Sequence, residues 1–208
     1  LPARRGDSPS LADVLTSAFA ATRAEPNPLA LPPVRSAAVL LIDGLGMSAL
    51  QRRAGHARRL LAAIPPQGGV IESGFPTTTA SALASLMTGL AAGEHGLVGY
   101  SAIDTAGDRV VNQLTGWDEG MRPRDWQPHP TVFERAVAAG LDAVVVGAER
   151  YRDTGFTEAV LRGGRFEAQR SIGDRVARGL DLLRGSEARI VYVYVPELDM
   201  AGHADGVE

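Results

Sequence analysis

Residues 37–42, Ala-Ala-Val-Leu-Leu-Ile, form an unbroken apolar run that stops at Asp43-Gly44. A strand with one face in water alternates apolar and polar residues. A strand with no polar position needs cover on both faces, which is the habit of parallel sheets inside α/β layers. The same signature returns at residues 142–147 (Asp-Ala-Val-Val-Val-Gly) and 189–195 (Arg-Ile-Val-Tyr-Val-Tyr-Val). Between these runs lie stretches with helical spacing. An Arg/Ala/Leu segment reaches about Ile64, a second opens at Thr79 and closes at Gly89, a third covers 131–139, and a fourth covers about 171–183. The third begins Thr131-x-x-Glu134, the pairing that satisfies two backbone amides at a helix start. Gly69-Val70-Ile71-Glu72 reads as a further short strand. Strands alternating with helices at this rhythm predict a doubly wound, mainly parallel α/β sheet flanked by helices.

A chain of 208 residues is long enough to bury one sizeable core, with or without an insert. Residues 1–36 combine a short amphipathic stretch, Leu11 to Ala21, with a Pro-rich run and read as a lead-in. Residues 37–208 read as the core domain, with an insertion or cap at about 100–130, where Gly, Asp, Pro and Trp replace periodic patterning. A net charge of −3 argues against a nucleic-acid polymer as partner, because displacing counterions from phosphates needs a basic face. Cysteine is absent, so any metal must sit on oxygen and imidazole. Lysine is absent too, which excludes lysine-dependent chemistry. No run approaches the roughly 18 to 20 apolar residues of a membrane span. A cytoplasmic protein is therefore the default expectation. Because the chain starts at Leu rather than Met, a secreted or periplasmic one with its leader removed stays open.

In an open parallel sheet, ligands gather beyond the carboxyl ends of the strands. Three polar features are expected there: Asp43 at the end of the first strand, Thr79 at the start of a helix, and Asp199 with His203 just past the last strand. An aspartate and a histidine four apart suit zinc, which accepts both ligand types at about 2.0 to 2.2 Å. A threonine hydroxyl is a poor nucleophile unless a base or a metal draws off its proton, and a bound cation and the positive end of a helix both favour the alkoxide. Each feature alone has a plain structural reading. Asp43-Gly44 is an ordinary turn after a strand, Thr77-Thr78-Thr79 an N-cap, and Asp199-x-x-x-His203 a solvated loop. His95 reads as a turn buttress, and His56 and His129 as surface residues. A dinucleotide loop is a distant alternative, since G-x-G-x-x-G fails at Ala49.

Taken together and in order, LLIDGLG, FPTTTASALASLMTGLAAGEHGLVGY and ELDMAGHADG resemble the alkaline phosphatase superfamily, in its type I phosphodiesterase/nucleotide pyrophosphatase branch. The resemblance implies an alkaline phosphatase-like core and hydrolysis of small phosphate esters, nucleotides among them, through a threonine nucleophile and two divalent cations, zinc for preference. Counting back nine residues from Thr88 selects Thr79 over Thr77 and Thr78 as that nucleophile. One cation would be held by Asp43 and Thr79 with an Asp-His pair further along the chain. The other would be held by Asp199 and His203 with a later histidine. Relatives place an asparagine after GLVG to bind a phosphoryl oxygen; Tyr100 stands there in this chain, with a hydroxyl able to donate the same hydrogen bond. The sulfatase branch needs a cysteine that this chain lacks. Because the later ligands would fall beyond Glu208, the expectation is an incomplete core whose isolated form is inactive. A phosphomonoesterase of the same superfamily, and a domain that only binds ligand, stay open as alternatives.

Overall fold

The computed structural model describes residues 8–65 and 69–206, so the first seven residues of the lead-in lie outside it. In chain order the elements are helix α1 (Ala12–Thr22), strand β1 (Ala37–Ile42), helices α2 (Met47–Arg52), α3 (Arg58–Ala63), α4 (Thr79–Thr88) and α5 (Ala92–His95), strands β2 (Ser101–Asp104) and β3 (Arg109–Asn112), helices α6 (Pro123–Trp126) and α7 (Val132–Ala138), strand β4 (Asp142–Gly147), helix α8 (Gly155–Val160), strand β5 (Arg165–Ala168), helix α9 (Ile172–Arg184), strand β6 (Arg189–Val195) and helix α10 (Glu197–Asp205). Four strands pair in the order β1-β6-β4-β5, every neighbour parallel. Because crossovers must carry the chain back over the sheet, the helices divide between its faces. On one face α1, α4, α7 and α8 bury Leu15, Leu83, Met87, Phe133 and Val160 against Val145, Ile190 and Tyr192. On the other, α9 sets Leu182 against Val144, Val191 and Val193. Gly179 lets α9 approach closely: a Cβ there would lie 2.8 Å from Val193 Cγ2. The fold is thus α/β and doubly wound.

At the N-terminal ends of the strands, opposite the site described below, charge ties three strands together. Asp142 accepts from Arg165 Nε at 3.0 Å and Arg165 Nη2 at 2.9 Å, and from Arg189 Nε at 2.9 Å. The two guanidinium groups, Arg165 first, hold the Asp142 carboxyl below its usual range.

Some expectations need correcting. β1 is not covered on both faces. It is the outer strand of the described sheet, its ladder runs to β6 alone, and Leu40, which points to the α9 face, is 49% exposed. Gly69–Glu72 forms no strand; among the described residues its one pairing is a single parallel bridge from Glu72 to Ser10. Strand β5 was not anticipated, because Arg-Phe-Glu-Ala lacks an apolar run: its polar side chains are spent on ion pairs at the sheet edge, with Glu167 bonded to Arg178 Nη2 at 3.1 Å. Residues 12–22, within the segment read as a lead-in, are helix α1, whose Leu15 and Ala18 sit in the main core. Residues 101–112, in the segment read as an insertion, form the antiparallel hairpin β2–β3. No helix among the described residues is long and apolar enough to cross a membrane.

Candidate active site

Asp43 directly follows β1, and its N–H donates to Val195 O at 2.9 Å, extending the β1–β6 ladder by one bond. Gly44 then turns the chain at φ +77°, a conformation that L side chains avoid. It also permits a close approach, since a Cβ on Gly44 would lie 2.9 Å from the Asp199 Cα. The ends of β1 and β6 are therefore in contact, and the start of α10 lies against the turn that carries Asp43.

Thr79 is the first residue of α4. Thr78 caps the helix, its Oγ1 accepting from the Ser81 N–H at 3.4 Å, and Gly89 at φ +77° ends it with an N–H bond to Ser85 O at 2.9 Å. Sequence spacing had placed both ends there. Thr79 Oγ1 donates to Asp43 Oδ2 at 3.4 Å, a long contact, so the hydroxyl faces the carboxylate rather than the core. Helix starts present N–H groups with no intrahelical partner and a partial positive charge, which is an anion-binding arrangement.

A second donor on Asp43 was not foreseen. Tyr194 OH bonds to Asp43 Oδ2 at 2.7 Å. Burial, then this hydrogen bond, then the Asp43 charge push the Tyr194 phenol far above its usual range, so it stays protonated and donates. Tyr192, two residues back on the same face of β6 and stacked on Tyr194 at 6.1 Å between ring centroids, is fully buried, and its phenol is raised in the same direction. The signal was present: in Tyr-Val-Tyr-Val the two tyrosines share one face of a strand whose end meets Asp43. They read as ordinary strand residues because pairing partners are invisible in sequence.

Asp43, Thr79 and Asp199 line one cavity of about 290 Å³, together with Arg150, Tyr151, Tyr192 and Tyr194. His203 lies on the next turn of α10 with Nε2 3.7 Å from Asp199 Oδ2; its side chain is 83% exposed and outside that lining. Tyr100 is 53% exposed ahead of β2 and is also outside the lining. Among the described residues no group of three or more His, Asp or Glu side chains gathers as a metal site would require.

A larger cavity, of about 750 Å³, lies between residues 71–75 and the opposite side of α4, near Ser85. Ser85, in its lining, is bonded to His95, but the pair is not a catalytic one. His95 Nδ1 accepts from the Leu97 N–H at 3.1 Å, and burial pushes its pKa down to about 4, so the neutral ring carries its proton on Nε2. That nitrogen, 2.9 Å from Ser85 Oγ, must then donate to it and cannot draw its proton away. His95 instead fixes the turn after α5.

The comparisons with known proteins agree with this geometry at the level of fold. Residues 37–208 match the family model of type I phosphodiesterase / nucleotide pyrophosphatase. No curated protein sequence matches the chain. Two solved structures of murine ectonucleotide pyrophosphatase / phosphodiesterase 5 superpose with a TM-score of 0.61 each, at 16% and 17% identity. The first is an inactive threonine-to-alanine variant in complex with AMP. Both alignments cover 82% of this chain and 46% of the murine one, so the chain spans less than half the length of those neighbours.

Proposed function

The chain belongs to the type I phosphodiesterase/nucleotide pyrophosphatase family, and on that basis we propose that it is the nucleophile-bearing part of a metal-dependent enzyme that cleaves phosphate diesters, nucleotide pyrophosphate bonds among them. The observation that carries this reading is the meeting of Thr79 Oγ1 with Asp43 Oδ2 at the rim where Asp199 also lies. That a threonine-to-alanine variant of the murine neighbour is inactive, and is seen in complex with AMP, supports it.

The donor types suit zinc: two carboxylates, a hydroxyl and an imidazole. Asp43 with Thr79 would hold one cation and Asp199 with His203 the other, each set short of the three protein ligands usual for catalytic zinc. A cation bound there supplies Lewis acidity, lowering the hydroxyl's pKa and neutralising charge on phosphoryl oxygens. The chain's own residues do the rest. Tyr194 holds the Asp43 carboxylate by its hydrogen bond, and Asp43 Oδ2 orients Thr79 Oγ1 and is the nearest acceptor for its proton. The first turn of α4 meets the phosphate with unpaired amides and its positive end. Thr79 Oγ then attacks phosphorus, the alcohol or phosphate group on the far side leaves, and water cleaves the Thr79 O–P bond to release a phosphate monoester. Tyr100 is proposed as a phosphoryl hydrogen-bond donor on the strength of its place after GLVG alone.

In the full-length gene product with zinc added, Thr79→Ala is expected to lower hydrolysis of bis(4-nitrophenyl) phosphate by at least about a thousandfold, as removing a covalent nucleophile does. Melting temperature should barely move. Wild-type rates in the variant would sink the nucleophile assignment. The shortage of gathered ligands among the described residues favours one rival, a domain that binds phosphate esters without cleaving them. Zinc analysis separates the two, since the enzyme needs about two ions per full-length chain and the rival needs none.

A further inference from the structure

The cavity that opens at Thr79 and Asp43 continues inward to a floor of Leu83, Val145, Phe156 and Phe166, all buried or half-buried. Few polar groups in it are free, the Tyr192 hydroxyl, which has no hydrogen-bond partner, being one. Thr157 Oγ1 donates to Tyr151 O at 2.6 Å, and Thr154 Oγ1 both donates to Thr157 Oγ1 at 3.0 Å and accepts from the Thr157 N–H at 3.1 Å. Arg150 lies over the Tyr151 ring, 4.8 Å from its centroid, with Nη2 3.0 Å from Met200 Sδ. A nucleobase has donors and acceptors on its edges, and burying them without partners costs free energy that stacking alone offsets poorly. An alkyl or aryl group has no such edges and gains with every carbon removed from water. Gly147 stands in this lining, and a Cβ on it would lie 2.9 Å from Phe166 Cζ, so the ring rests against bare backbone.

We infer that this cavity is the subsite for the alcohol moiety of the phosphate ester and that it selects an apolar alcohol, alkyl or aryl, over a nucleoside. The inference rests on the proposed site at Thr79, with which the cavity is continuous. Phosphate sits at the rim by Thr79 and Asp43, and the apolar group points down toward Phe166.

The test is calorimetric binding of methyl, butyl and hexyl phosphate and AMP to the zinc-loaded full-length protein carrying Thr79→Ala, which removes turnover from the readout. Affinity should rise up to about fourfold per methylene, and hexyl phosphate should bind more tightly than AMP. Adding Gly147→Ala pushes the Phe166 ring into the space, so the gain per methylene should shrink; should that variant fail to fold, the unsubstituted series decides. A flat series, or AMP binding more tightly than hexyl phosphate, overturns the inference. Hydrolysis by the protein with Thr79 intact is read separately. A rising series without turnover leaves the subsite standing and removes the hydrolytic reading, whereas turnover with a flat series does the reverse.

Discussion

At the residue scale, two side chains outside the proposed metal-ligand set have consequences that can be measured. Tyr194→Phe removes the 2.7 Å hydrogen bond to Asp43 while keeping the ring stack. Zinc affinity of the full-length protein, read by competition with a chelating dye, is expected to fall tenfold to a hundredfold, the usual effect of losing a group that orients a metal-binding carboxylate. His95 makes a pH prediction. Its pKa is lowered from 6.5 to about 4 by burial, so between those values the unfolded chain binds a proton that the folded chain refuses. Stability therefore falls as pH drops through that window, by on the order of 3 kcal/mol in all. His95→Gln should flatten this part of the stability–pH curve in urea titrations, whatever its effect on absolute stability. An unchanged slope would assign the loss elsewhere. Of the candidate site, Asp43, Thr79 and Asp199 were legible in sequence as residue types at strand and helix ends, whereas His203, read with them, lies outside the cavity. Tyr194 and Arg150 were not, because their roles come from partners far away in the chain. His95 was read as a buttress, and its two ring contacts explain why it is one.

Among the elements, α10 is the one whose placement matters most and whose own sequence anchors it least, since none of its residues is buried. Its first residue, Glu197, is paired through Oε1 with Arg175 Nη2 of α9, and the Arg175 side chain is wholly buried. Removing the two partners should not be equivalent. Glu197→Ala strands a buried guanidinium and is expected to cost about 3 to 5 kcal/mol in urea unfolding. Arg175→Met leaves a carboxylate that is already 37% exposed and fills the space with an apolar side chain, so it should cost clearly less. Equal costs would mean that the pair does not hold α10. Helices with caps, such as α4 and α7, were readable to within a residue because capping is local chemistry. Strand β5 and the bridge at Glu72 were not, because edge pairing is decided by a neighbour rather than by the strand itself.

For the molecule as a whole, alternation of strand and helix was enough to predict a doubly wound parallel sheet, but it carried no strand order, so the outer position of β1 stayed hidden. An apolar outer strand with unpaired backbone groups is a template for further pairing. The 208-residue chain is expected to self-associate as its concentration rises, and Leu40→Lys, on the open face of β1, should suppress this in sedimentation without lowering the melting temperature. The β1–β6 ladder has one more consequence. Ile42 lies opposite Val195, and the next bond places Asp43 beside the start of α10. A slip of a single rung would send every side chain of one strand to the other face and part Asp43 from Tyr194 and Asp199. The rim thus works as a vernier for the sheet: in a refolded preparation, the fraction of molecules able to grip a phosphate ester at the proposed site would count those whose strands have threaded in the correct register.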